Sequence, residues 1–265
     1  MFSHRNLSDP LVTVRKQYAP EATVLDVTGD FETIPPAAAE DLGLFADKLE
    51  PVSYPDSWLT NTAPKPLHRY ASSDLTIGMP GDGTVVRTEQ TVPPTILVKG
   101  RASGTPTGFL NFLIAEALVE SSIGLPEHFL GYFEDEYTRL ADAVPLGPAS
   151  TYQIASALFD GWIGLHTRSV FTEWEDSHPR LYDSWIDAGT RIEGRLGRLS
   201  EAVAHGETSF AEATEYACAA IKHGLEIPPP FAALDTQAYQ EYGAEYGIKW
   251  ASKTFEKMDT KEQTE

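Results

Sequence analysis

His166 is the residue whose surroundings in the sequence best fit catalysis. Trp162, His166 and Val170 follow one another at intervals of four residues, so a helix would place His166 in an apolar stripe. Glu173 lies seven residues further along, about 20° away around a helix and about 10.5 Å along its axis. A carboxylate and an imidazole on one face form half of an acid/base or metal site. The other half would have to come from another helix, and a core histidine explains the same pattern.

The other histidines fit structural roles better. His205 and His223 each precede a glycine, a pattern typical of helix C-termini, where a cation complements the helix dipole. His178 precedes Pro179 at a predicted helix break. His128 follows Glu127 in the first turn of a helix predicted to begin at Pro126, with no second ligand at helical spacing. These positions predict no catalytic or metal-binding constellation.

Neither the carboxylate pairs nor the cysteine predicts a cofactor or metal site. Glu116 and Glu120 are spaced i,i+4 with no neighbouring histidine, which favours a solvated helix face. Cys218 lies beside an apolar stripe and is interpreted as a small buried hydrophobe. No motif of a nucleophile elbow, zinc protease or paired-cysteine site occurs in the sequence. We therefore expect no cofactor and no metal.

The glycine-rich segment "IGMPGDGTVV" at 77–86 resembles a phosphate-binding loop. A phosphate loop must lead into a helix, whose first N–H groups hold the anion, but this segment leads into the β-branched run "TVVRT". Asp82-Gly83 is instead a hairpin signal. The segment is predicted to be a turn between strands, and a ligand loop is the weaker alternative.

The net charge narrows the choice of partners. The 265 residues include 39 Asp and Glu against 20 Lys and Arg, a net charge of −19 spread along the chain. Such a surface repels phosphate groups, so nucleic acid and anionic membranes are poor partners. The partners that this charge leaves open are another protein or a second copy of the same chain. Salt screens the repulsion between the carboxylates, which suits a salt-rich cytoplasm. An ordinary acidic protein of an ordinary cytosol would show the same net charge.

Sequence features also bear on localisation. The N-terminal "MFSHRNLSDP" has no apolar signal region. The most apolar run, 109–119, is shorter than the roughly 20 residues that a transmembrane helix needs. One cysteine allows no disulfide within the chain. We expect a soluble, cytoplasmic protein.

The element pattern predicts an α+β fold that is mostly α-helical. Residues 1–104 are predicted to form a mixed part with a small antiparallel β-meander at about 73–100. From 105 to 257 the hydrophobic period is helical, which predicts a multi-helix bundle that includes one long helix over 148–177. Residues 258–265 are predicted to be a disordered tail. No linker separates the two parts, which favours one compact unit.

Several stretches carry a resemblance to a known family. The sequence resembles an uncharacterised protein family of haloarchaea in its opening "MFSHRNLSDPLVTVRKQYAPEATVLDVTGDFETIPPAAAEDLGL", in "YASSDLTIGMPGDGTVVRTEQTVPPTILVKG", in "LIAEALVE" with "LPEHFLGYF", and in "FAALDTQAY". The resemblance implies a salt-adapted cytoplasm and no activity that can be carried over. A non-catalytic binding or regulatory module is the favoured interpretation. The alternative is a metal-dependent or acid/base enzyme that uses His166 and Glu173.

Overall fold

The computed structural model describes residues 1–30, 32–72, 74–78 and 83–262. Its contacts divide the chain into two compact units that interleave along the sequence. Unit 1 comprises 1–54, 66–128 and 173–185, and unit 2 comprises 55–65, 129–172 and 186–265. The boundaries expected from the sequence, 1–104 and 105–257, and the single compact unit stay predictions.

A four-stranded mixed sheet forms the framework of unit 1. Its strands are β1 (Phe2–His4), β2 (Thr23–Val27), β4 (Val85–Thr88) and β6 (Thr95–Val98), in the order β1-β2-β6-β4. The central pair β2 and β6 is parallel, and both outer pairs are antiparallel. All four residues of β6 are buried, as expected for an inner strand covered on both faces. A separate pair joins β3 (Lys48–Leu49) to β5 (Thr91–Val92).

The α+β fold class is confirmed, while the meander is only partly so. Strands β4 and β6 are antiparallel neighbours, as the short join between them predicts. Of the segment predicted at 73–79, the described residues 74–78 do not pair with β4. Its Thr76 forms an isolated bridge with Thr33 instead. Asp82 of the predicted hairpin lies outside the described residues.

Helices account for most of the described chain. They are α1 (Asp9–Tyr18), α2 (Pro36–Leu42), α3 (Lys65–Ala71), α4 (Thr107–Ile123), α5 (Phe129–Phe133), α6 (Tyr137–Ala143), α7 (Pro148–Thr172), α8 (Trp174–Ser177), α9 (Pro179–Leu196), α10 (Leu199–Ala204), α11 (Phe210–Lys222) and α12 (Gln237–Glu262). Two terminal signals are confirmed. Ser209 and Glu212 form a capping box at the start of α11, and His205 and His223 are C-caps that precede left-handed glycines.

The core of unit 1 joins the sheet to the first helices. Its buried members come from β1, β2, β4, β6, α2 and the segments around Ile34 and Ile77; they are Phe2, Leu25, Val27, Ile34, Ala38, Leu42, Leu75, Ile77, Val86 and Leu97. On β2 the core residues are two apart, which is the spacing of side chains on one face of a strand. This packing holds the end of β4, where the candidate site begins.

Close approach of two helices is the main feature of unit 2. A Cβ on Gly161 would lie 3.0 Å from the Cys218 sulfur, and a Cβ on Gly164 would lie 2.9 Å from the Lys222 Cα. Helices α7 and α11 therefore pack with backbone almost in contact, which needs glycine at both positions. Cys218 is fully buried in this seam, and burial raises the pKa of its thiol. Its predicted role as a small hydrophobe is confirmed.

Two of the predicted helices differ from the structure. The long helix ends at Thr172, not at Ser177, and α8 is a separate short helix before the confirmed break at His178-Pro179. The helix expected at Pro126 begins at Phe129. Helix α12 extends to Glu262, and the disordered tail expected at 258–265 stays a prediction.

Tested helix by helix, the described chain offers no segment with the length and hydropathy needed to cross a bilayer.

Candidate functional site

The carboxylate of Glu127, a half-buried residue, lies at the centre of the candidate site in unit 1. It belongs to the short connection after α4 and contacts the turn that follows β4. Its Oε2 accepts hydrogen bonds from the Thr88 hydroxyl and the Glu89 backbone N–H, each at 3.0 Å. Its Oε1 accepts one from the Gln90 side-chain amide at 2.9 Å. The carboxylate thus satisfies donors that a strand end leaves without ladder partners.

Gln90 is held in a single orientation by three groups. It is buried, and its Nε2 donates to the Thr76 carbonyl at 2.7 Å as well as to Glu127. Its Oε1 accepts from the Val52 backbone N–H at 3.0 Å. Both donors and the acceptor of the amide are therefore used, which fixes its rotamer and aligns its N–H toward Glu127.

Arg87 brings the connection after α4 against β4. Its guanidinium is almost fully buried and donates to the carbonyls of Leu125, at 3.1 Å, and Pro126, at 2.6 Å. It also forms ion pairs with Glu120 at 3.5 Å and with Glu89 at 3.7 Å. Glu120, predicted to lie on a solvated face, is in fact largely buried against this guanidinium. The i,i+4 spacing with Glu116 gave no sign of a partner from β4.

Three aromatic side chains line the other side of the site. The His128 ring is buried and stacks on the Tyr70 ring of α3, with centroids 4.4 Å apart and planes 18° apart. The Tyr54 ring lies 6.4 Å from His128. Burial lowers the pKa of His128 to about 3, so its imidazole is neutral at physiological pH. Burial and the nearby Glu127 charge raise the pKa of Tyr54 to about 12.

The Glu127 carboxyl titrates near neutrality. Burial raises its pKa to about 7 from the usual 4.5, and this effect outweighs the opposing hydrogen bonds from Gln90, Glu89 and Thr88 and the Arg87 charge. Burial also raises the pKa of Glu89, and Arg87 opposes that shift. The site therefore holds a carboxyl group that changes charge close to physiological pH.

These groups enclose a small cavity. Its volume is about 20 Å³, and it is lined by Val52, Tyr54, Tyr70, Thr76, Gly78, Gln90, Glu127 and His128. A cavity of about 10–15 Å³ is enough for one water molecule. This cavity, the Glu127 cavity, therefore has room for a single water-sized group among polar side chains.

A second cavity in unit 1 is larger and more open. It has a volume of about 390 Å³ and is lined by Asp9, Pro10, Thr13, Ser177, His178, Pro179, Arg180 and Leu181, at the starts of α1 and α9. The His178 ring packs edge-on against Trp174, and burial lowers the pKa of His178. Most of the charged side chains of this cleft are exposed to solvent, in contrast to Glu127.

The two residues favoured by the sequence, His166 and Glu173, belong to different units. His166 lies in α7 of unit 2, half-buried, with its ring edge-on to Trp162 at 4.7 Å. Burial lowers the pKa of His166, and a hydrogen bond to the backbone of Gln240 opposes that shift. Glu173 is exposed, follows the last residue of α7 and belongs to unit 1. Their catalytic role stays a prediction.

Hydrogen bonds between α7 and α12 account for the surroundings of His166. The Trp162 indole N–H donates to the Gln240 carbonyl at 3.1 Å, and the Gln240 side chain donates to the Leu165 carbonyl at 3.1 Å. The Gln240 carbonyl is available because α12 is interrupted at Gly243, whose φ is 45° and ψ −122°. Within the described residues, no group of three or more His, Cys, Asp or Glu side chains is arranged to hold a metal ion.

The residues of the Glu127 cavity were missed by the sequence analysis. Glu127 and His128 were placed in a helical first turn without partners, yet both lie before α5 begins. The hydrogen-bond partners of Glu127, at 88–90, are 37 or more residues away in sequence. No local spacing links segments so far apart. The one local signal for this site is weak: two adjacent ionisable residues, Glu127 and His128, follow Pro126.

Comparison with known proteins gives one match. Neither the curated proteins nor the solved structures include a significant relative of this chain. The model of a family of unknown function, DUF7089, matches residues 1–258. That match covers nearly the whole sequence, and the chain therefore belongs to the DUF7089 family, whose function is unknown.

Proposed function

We propose that this acidic protein is a non-catalytic binding or regulatory module of a salt-rich cytoplasm, and that the Glu127 cavity is its ligand site. One observation carries the proposal: a small cavity is lined by a carboxylate, an amide, an imidazole and two phenols. Pockets that bind ligands combine apolar walls with a few convergent polar groups. Here the aromatic rings supply the walls, and Glu127 and Gln90 supply the convergent groups.

The size of the cavity favours binding over catalysis. A catalysed reaction needs two reacting groups held about 3–3.5 Å apart, whereas about 20 Å³ admits one water-sized group. The neutral His128 imidazole is stacked on Tyr70 and is a poor proton donor at physiological pH. The ligand therefore inserts one small polar group and undergoes no reaction.

The ligand is a protein, a second copy of this chain or a small molecule that presents such a group. The net charge of −19 disfavours nucleic acid and anionic membranes. The same charge supports a salt-rich cytoplasm, because salt screens the repulsion between surface carboxylates.

The alternative is a metal-dependent or acid/base enzyme with its site at His166 and Glu173. The half-buried imidazole with a lowered pKa favours it. Metal analysis of the purified protein tests it: co-purifying zinc, manganese or iron that is lost in His166→Ala would support the enzyme and count against the binding module.

Three probes of different charge test the binding function. Methylammonium, acetamide and acetate are each titrated into the isotope-labelled full chain, and the Glu89 and Gln90 backbone amides are followed by NMR. We expect at least one probe to shift these amides saturably, with no saturable shift in Gln90→Ala. Gln17→Ala, on the exposed face of α1, is the matched control. If no probe shifts either amide, the cavity is not a ligand site.

A further inference from the structure

Acceptor capacity is left on the Glu127 carboxylate after its hydrogen bonds are counted. A carboxylate has about four lone-pair positions. Thr88 and Glu89 donate to Oε2, and Gln90 alone donates to Oε1. One position on Oε1 therefore remains, on a side chain that lines the cavity. The group that completes this carboxylate must be a donor or a cation.

The local charge favours a cation over a neutral donor. Arg87 is the cation whose field reaches Glu127, and it also forms ion pairs with Glu89 and Glu120. One guanidinium is thus shared among three carboxylates. In a site of low polarity, a second positive charge next to Glu127 gains far more energy than it would in water.

The cavity walls and size limit the kind of cation. Tyr54 and Tyr70 line the cavity, and aromatic side chains attract ammonium groups. One carboxylate lines the cavity, and it can balance the single charge of a monovalent cation but not the double charge of a calcium ion. The volume of about 20 Å³ excludes any ion much larger than water.

We propose that the Glu127 cavity binds a water-sized monovalent cation, the ammonium group of a primary amine or a free ammonium or potassium ion, between the carboxylate and the two tyrosines. This inference rests on the proposed binding function and names the chemistry of its ligand. The proton competes for the same carboxylate. The ionisable groups that face it are Arg87, Glu89, His128, Tyr54 and Tyr70, with Glu120 behind Arg87.

Thermal unfolding in matched chloride salts tests the cation. The full chain is unfolded at about pH 8, above the Glu127 pKa of about 7, in tetramethylammonium, potassium, ammonium or methylammonium chloride at one concentration. Tetramethylammonium is too large for the cavity and controls for ionic strength. We expect Tm to rise by about 5 °C in ammonium relative to tetramethylammonium, and the rise to grow with concentration.

Two variants connect the effect to the site. Glu127→Gln removes the charge and should abolish the difference between the salts, whereas Glu40→Gln, an exposed change of equal charge on α2, should keep it. Should Glu127→Gln fail to fold, the Glu89 backbone amide of the wild-type chain serves instead, since it donates to Glu127. Ammonium should shift this amide saturably, and tetramethylammonium should not.

The outcomes separate the sources of the cation and the two proposals. A rise with methylammonium identifies an amine tip, and a rise with ammonium or potassium alone identifies a free ion. Equal Tm values in all four salts, together with an unmoved Glu89 amide, overturn the cation inference. Binding of acetamide or acetate at the same amides would then leave the binding function standing, and no binding of any probe would remove both.

Discussion

The Glu127 cavity of unit 1 and the His166 region of unit 2 both place polar groups among aromatic rings, but they use them differently. In unit 2 these groups donate hydrogen bonds to main-chain carbonyls. The Tyr239 hydroxyl donates to the Leu158 carbonyl at 2.7 Å, and the Trp162 indole N–H donates to the Gln240 carbonyl at 3.1 Å. In unit 1 the donors converge instead on the side-chain carboxylate of Glu127.

This difference separates a structural network from the proposed binding site. Side chains that satisfy carbonyls of a neighbouring helix stabilise the packing of that helix and have little capacity for a ligand. A buried carboxylate with remaining acceptor capacity is costly, and a bound cation or proton repays that cost. We therefore expect mutations near His166 to change stability and mutations near Glu127 to change binding and pH dependence.

The largest expected effect is that of Gly243→Ala in α12. The backbone at Gly243 has a conformation that L-residues rarely adopt, and a Cβ there would lie 3.2 Å from the Tyr132 ring. We expect a loss of about 4 kcal/mol in the free energy of unfolding, from strain and overpacking together. Gly194→Ala in α9, where a Cβ meets nothing within 4 Å, should stabilise by about 0.5–1 kcal/mol. Equal stabilities of both variants would mean that the Gly243 kink is not structural.

The next effect is a pH dependence of stability that comes from Glu127. Its folded pKa of about 7 lies above the usual 4.5, so its favourable contribution is fully present below about pH 4.5 and is lost as the pH rises through about 7. Relative to Glu127→Gln, the wild-type chain should lose about 3 kcal/mol between these limits. Urea unfolding at each pH measures this difference. A difference that does not change with pH would show that Glu127 is not buried as an acid.

Gln90→Ala should destabilise by about 2 kcal/mol. It leaves the Val52 N–H, the Thr76 carbonyl and Glu127 without the partner that the amide supplies. Urea unfolding is again the measurement. Gln17→Ala should stay within about 0.5 kcal/mol of the wild type. If Gln90→Ala left the free energy of unfolding unchanged, water would have to replace the amide. The site would then be more hydrated than its burial indicates.

The smallest effect is expected for His166→Ala. We expect urea unfolding to show a loss of about 1 kcal/mol in the free energy of unfolding, because the contact with Trp162 and the hydrogen bond to Gln240 are removed. Probe binding at the Glu89 amide should be unchanged. A change in that binding, with stability unaffected, would reverse the assignment of the two regions.

The sequence predicted local features well and the candidate site poorly. The capping box at Ser209 and Glu212 lies within one turn, and the antiparallel pairing of β4 with β6 follows from a short join. The Glu127 site joins segments around 54, 70, 76–78, 88–90 and 127, which only the tertiary fold brings together. Likewise, the i,i+4 spacing of Glu116 and Glu120 describes neighbours on one helix. It carries no information about Arg87, which comes from β4 and covers Glu120.

Titration of the Glu127 carboxyl carbon by NMR tests the central claim most directly. In tetramethylammonium chloride we predict a midpoint near pH 7, because burial disfavours the charged form. In ammonium chloride at the same concentration the midpoint should move to lower pH, since the cation competes with the proton. A midpoint near 4.5 in both salts would contradict a buried, cation-binding carboxylate.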